Sequence, residues 1–122
     1  MTLRLVLSVA IAAASLLNAA APKSEQKTVS GWVIDSACAF TKGLTKPADP
    51  SCAIACGKNG SPLVLVQDDG MIYWPIEEVM PAASQNVRLL PFAGKHVSAS
   101  GKVFARNGTT AIVINKITSA PE

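Results

Sequence analysis

Residues 28–119 predict a mostly β fold, a small five-stranded barrel, and three observations carry that reading. Apolar residues recur with a period of two along several short segments. Two turn signals, Asp68-Asp69-Gly70 and Asn107-Gly108, join such segments in pairs, and Gly31 and Gly101 fall inside segments where a bend lets a small sheet curl.

The first strand is Thr28 to Asp35, in which Val29, Gly31 and Val33 alternate with Ser30, Trp32 and Ile34. Residues 36–50 carry Gly43, Pro47 and Pro50 without periodicity and read as a loop. Ser51 then serves as the N-cap of a short helix through Cys52 and Cys56, which Gly57 or Gly60 stops. The apolar run Pro62 to Gln67 and the segment Met71 to Pro75 make a hairpin around the Asp-Gly turn, because glycine accepts the positive φ a tight turn needs. Between Ile76 and Phe92 the pattern turns helical or irregular, with a short helix expected within Ala82 to Leu90. Lys95 to Phe104 alternates, Val97, Ala99, Gly101 and Val103 against His96, Ser98, Ser100 and Lys102. Asn107-Gly108 turns the chain into the last strand, Thr110 to Ile117.

Five strands, a cysteine-bearing helix between the first and second and a helical connection between the third and fourth, form the layout of an OB-like barrel. An open sandwich-like meander is the competing arrangement. The domain plan is a signal peptide over 1–21, a linker over 22–27 and the barrel over 28–119. Arg4, the apolar run Leu5 to Leu17 and the small residues around Ala19 to Ala21 supply the three regions of a secretory leader. The apolar run is shorter than the roughly 20 residues that span a bilayer, so no stable membrane anchor is expected after cleavage. The predicted location is therefore periplasmic or secreted. The net charge is only +3, with Lys and Arg scattered from Lys23 to Lys116, whereas a nucleic-acid partner calls for a concentrated basic stripe.

Cys38, Cys52 and Cys56 are the one cluster that invites a chemical reading. An oxidising compartment and a small core favour a disulfide. Cys52 and Cys56 lie one helical turn apart, with Cβ atoms about 5–6 Å from each other, while a disulfide wants about 3.8 Å. The expected bridge therefore joins Cys38 to Cys52 or to Cys56, closing a loop of about 15 residues for about 3 kcal/mol in the chain-entropy account. The alternative uses all three sulfurs, as a soft-metal site for Cu or Zn or as a redox-active thiol pair.

Among the remaining candidates, Trp32, Tyr73 and Trp74, with Phe40, could line a ligand-binding face, as aromatics do on OB barrels, although some are expected in the core. Asp35 is read as ending the first strand by capping the loop, and His96 as a surface residue. Asn107-Gly108-Thr109 matches a glycosylation sequon, which the hairpin turn already explains. No G-x-S-x-G, Walker, H-E-x-x-H or paired-carboxylate signature occurs, so the domain is read as non-enzymatic.

Gly31-x-x-x-Asp35-Ser36-x-Cys38, Cys52-x-x-x-Cys56-x-x-x-Gly60, the Leu63 to Trp74 hairpin and Phe92-Ala93-Gly94-Lys95-x-Val97-x-x-x-Gly101 together resemble an uncharacterised family of small exported bacterial domains. The resemblance covers nearly the whole mature chain and implies an OB-like barrel without an established activity. Members of that type often place a histidine a few residues after the first cysteine, where this chain has Ala39-Phe40-Thr41-Lys42. The combined expectation is an exported barrel that binds a small ligand or an exported protein, stapled by one disulfide and needing no cofactor.

Overall fold

A computed structural model of the protein describes residues 23–121, so the expected signal peptide lies outside the described residues. Five strands, β1 (Ser24–Asp35), β2 (Leu63–Gln67), β3 (Ile72–Pro75), β4 (His96–Arg106) and β5 (Thr109–Ser119), close into a barrel in the order β1-β2-β3-β5-β4. Neighbours run antiparallel except β3 and β5, which are parallel with Tyr73 opposite Thr110. The fold is the five-stranded OB-like barrel that the strand pattern predicts. Three short helices, α1 (Ser36–Lys42), α2 (Pro50–Lys58) and α3 (Asn86–Leu89), decorate it, and a 3₁₀ turn over Leu90–Phe92 follows α3.

One strand belongs to both halves of the barrel. Residues 24–32 of β1 pair with β4, and residues 31–35 pair with β2. Gly31 sits at the crossover, where an added Cβ would stand 2.3 Å from the Val66 carbonyl oxygen. On β4, a Cβ at Gly101 would stand 1.9 Å from the Val113 carbonyl oxygen, and the β4–β5 register slips between Ser100 and Gly101. Neighbouring backbone thus occupies the volume of two missing side chains, which is the bend the glycines predict.

Inward-facing Val29, Val33, Leu65, Val97, Ala99 and Ile112 fill the barrel, all at 2% exposure or less. Burying each large aliphatic side chain there stabilises the fold by about 1.5–3 kcal/mol. Strand β2 is covered on both faces: Leu63 and Leu65 point into the barrel, while Val64 and Val66 pack outside it with Ile34 and Ala39. That double burial explains its unbroken apolar run. Ala53 of α2 enters the main core beside Leu63, Leu89 and Ala93. Asn86 ties three elements together: its amide nitrogen donates to the carbonyls of Gly57 at 3.2 Å and Ser61 at 2.7 Å, and its oxygen accepts from Leu63 N–H at 3.0 Å.

The structure corrects three local expectations. β1 starts at Ser24, so most of the expected linker over 22–27 is strand; its side chains are exposed on both faces and carry no period, while its backbone pairs with Gly101 to Phe104. The segment from Ser36 to Lys42, expected as loop, is α1: Asp35 caps it by accepting from Cys38 N–H at 3.2 Å, and Gly43 ends it at φ 62°. The cysteines therefore occupy two helices rather than one. The N-cap of α2 is Asp49 rather than Ser51, because its carboxylate accepts from both the N–H and the hydroxyl of Ser51 at 2.9 Å and leaves Pro50 at the first helical position. At the other end, Ser61 N–H bonds to Cys56 O and Gly60 N–H to Gly57 O, closing α2 just beyond Asn59.

Replacing either strand glycine should therefore be costly. Gly31→Ala is expected to lower unfolding stability by about 1–3 kcal/mol, and Gly101→Ala by more, while the exposed control Ser30→Ala stays within about 0.5 kcal/mol. Urea unfolding midpoints check this, and equal midpoints for all three variants would contradict the closure mechanism.

Candidate functional site: an aromatic groove beside a thiol cluster

Parallel pairing of β3 with β5 begins at Tyr73 and Thr110. The residues just before it, Met71 and Ile72 on one side and Gly108 and Thr109 on the other, border an open groove of about 520 Å³. One wall is aromatic. Phe40 projects from α1, 60% exposed, and its ring stacks on Trp74 of β3 with centroids 5.8 Å apart and planes inclined by 27°. Such a pair contributes about 0.5–1.5 kcal/mol beyond its burial. Helix α1 reaches this position because Ala39 packs with Ile34, Val64 and Val66 on the outer face of the sheet.

The polar edge of the groove comes from the two turns. Asp69 closes the β2–β3 turn, accepting from Met71 N–H at 2.9 Å, and Thr110 donates its hydroxyl to the Ile72 carbonyl across the parallel pair. Among the described residues, Asp69 is the only charged one lining the groove. Its field disfavours an anion there.

Of the aromatics singled out in the sequence, Trp74 and Phe40 line the groove. Tyr73 does not: it is 3% exposed and belongs to the barrel core, since alternation along β3 turns it inward. Trp32 is half-buried against the same outer cluster of Ile34, Ala39, Val64 and Val66 as Trp74 but does not line the groove, and it stands edge-on to His96 with centroids 5.2 Å apart. His96 is correspondingly not a free surface residue. Its side chain is 9% exposed, Nε2 lies 3.6 Å from Asp68, and Nδ1 has no hydrogen-bond partner. Met71, Asp69 and Thr109 went unrecognised because only the non-local β3–β5 pairing brings the two turns together.

The cysteines gather around Asp35, at the junction of β1 and α1. Asp35 is 4% exposed. Burial works to raise its carboxyl, but the Ser61 hydroxyl and the Cys38 N–H donate to it and outweigh that effect, holding it below the ordinary carboxylate value. Burial, followed by the adjacent Asp35 carboxylate, pushes the Cys38 thiol up. Burial, the Asp35 charge and the neighbouring Cys52 do the same to Cys56. All three cysteines are free thiols, so the expected bridge from Cys38 to Cys52 or Cys56 is not formed. The Cys38 thiol is turned toward Asp35 instead, and Cys52 lies beside its helix neighbour Cys56. Among the described residues no three His, Cys, Asp or Glu side chains form a group that could hold a metal ion. No helix among them is long and apolar enough to cross a membrane.

No family model, curated protein or solved structure matches the chain.

Asp35 connects strand, helix and loop, and its removal should show it. Asp35→Ala is expected to cost about 2–4 kcal/mol, from a lost N-cap and an unpaired Ser61 hydroxyl. Because the folded carboxyl lies below its unfolded value, its contribution is complete above about pH 4 and is lost as pH falls through that value toward the folded one. Asp35→Asn keeps a capping oxygen and removes the charge. Thermal unfolding between about pH 6 and pH 3 should therefore lose part of its pH dependence in that variant; an unchanged slope would contradict the assignment.

Proposed function

We propose that the chain is an exported, non-catalytic binding module that seats a small uncharged ligand with a flat apolar face in the groove between α1, β3 and the β4–β5 turn. The observation that carries this reading is the stacked Phe40–Trp74 pair at the wall of a cleft of about 520 Å³. That volume falls within the range of roughly 300–1,000 Å³ common for small-ligand sites. Its location supports the same reading. OB barrels bind across the second and third strands and the loops that follow the first and fourth, and here those loops supply Phe40 and Gly108. Two exposed apolar side chains, Phe40 and Met71 at 60% and 46%, lie on its border. Export rests on the leader pattern of residues 1–21.

The chain has two tryptophans, so Trp32→Phe leaves Trp74 as the sole reporter. Titrating that variant with N-phenyl-1-naphthylamine, an uncharged aromatic probe, should quench Trp74 emission and raise probe emission together. Phe40→Ala should weaken binding at least about tenfold, equivalent to 1.4 kcal/mol, and a sulfonated analogue of the probe should bind more weakly because Asp69 faces it. Binding that ignores both Phe40→Ala and the sulfonate would overturn the assignment.

A further inference from the structure

On the far side of α1 from Trp74 lies a second, much smaller cavity, of about 40 Å³. Asp35, Cys38 and Leu44 line it from one side and Cys52 and Ala53 from the other, whereas Cys56 is not part of the lining. A space of this size has room for a water molecule, so neither sulfur has to displace packed atoms to approach the other. Cys38 and Cys52 occupy equivalent places, each the third helical residue after an aspartate N-cap, Asp35 for α1 and Asp49 for α2. Cys56, one turn further along α2, shares a rigid helix with Cys52, whose geometry keeps their Cβ atoms too far apart for a bridge.

We propose that Cys38 and Cys52 form a dithiol site for thiol–disulfide exchange, accepting an intramolecular bridge from a disulfide donor while Cys56 stays a thiol. The inference is independent of the ligand groove. Cys52 is exposed and Cys38 half-buried against Asp35, which sets the order of events. The Cys52 thiolate attacks one sulfur of the donor, forms a mixed disulfide and expels the donor's other sulfur as a thiolate. Cys38 then loses its proton to solvent, and its thiolate attacks Cys52 Sγ, expelling the second donor thiolate. In sum, two protein thiols are oxidised to one disulfide and one donor disulfide is reduced to two thiols. The bridge ties α1 to α2 across the bends of the connection between them. Phe40 lies two positions beyond Cys38 on the tethered helix.

The test is a thiol map of the full chain. Reduced protein is equilibrated in glutathione buffers of rising oxidised fraction, quenched with N-ethylmaleimide and digested for peptide mass mapping. Alkylated thiols should fall from three to one, the survivor being Cys56 and the bridged peptides carrying Cys38 and Cys52. A Cys56→Ser variant should bridge as the wild type does. A Cys38→Ser, Cys56→Ser double variant should stop at a glutathione adduct on Cys52. A dominant bridge that includes Cys56, or three alkylated thiols at every ratio, would overturn the proposal.

Discussion

A short strand set closes into a barrel only where one strand can leave one sheet and enter the next, and in this chain that strand is β1. Its first nine residues pair with β4 and its last five with β2, and the two sets overlap at Gly31 and Trp32. The overlap is possible because the Val66 carbonyl occupies the place of a side chain at Gly31. Gly101 plays the same part on β4, where the Val113 carbonyl approaches and the register slips. Any Cβ at these points would prise apart backbone pairs that define the enclosed core.

Closure has consequences far from the glycines. It brings β5 alongside β3 in parallel, which sets the tip of the β4–β5 hairpin beside the β2–β3 turn and opens the groove between them. It also leaves the outer face of β1 and β2 apolar at Ile34, Val64 and Val66, and α1 covers that face. Asp35 fixes where α1 begins, since the residue that ends β1 is the one that caps the helix. From that start, Ala39 turns toward the sheet and Phe40 toward Trp74. The thiol cluster grows from the same junction, because Cys38 follows Asp35 by three residues and Ser61, just past α2, donates to the Asp35 carboxylate.

Strands were legible in the sequence because their alternation is local: Val97, Ala99 and Val103 are buried as the period of two requires. The two strand glycines were legible for the same reason, as residues that interrupt such a pattern. Helix α1 was not, although its signals were present in Asp35 at the cap and Gly43 at the end; seven residues without an amphipathic period give little to read, and the nearby prolines suggested a loop. The polar start of β1 was equally hidden, since a segment exposed on both faces has no hydrophobic period to show. At the groove, Trp74 and Phe40 can be named from residue type alone, but which of the aromatics turn into the core cannot, because the inward face of β3, where Tyr73 sits, depends on the parity of a four-residue strand. The lack of a formed disulfide could not be read from spacing, which says that Cys38 and Cys52 can meet but not that Cys38 rests against a buried carboxylate.

If β1 holds both halves of the barrel in one cooperative unit, its two ends must open together. Amide hydrogen exchange followed by NMR under native conditions measures this directly. The expected result is one shared opening free energy for the amides bonding β1 to β2 and those bonding the middle of β1 to β4, rising and falling together with added urea. Two separate values, with the β1–β4 half still protected while the β1–β2 half exchanges, would contradict the closed barrel as the unit on which groove and thiol site depend.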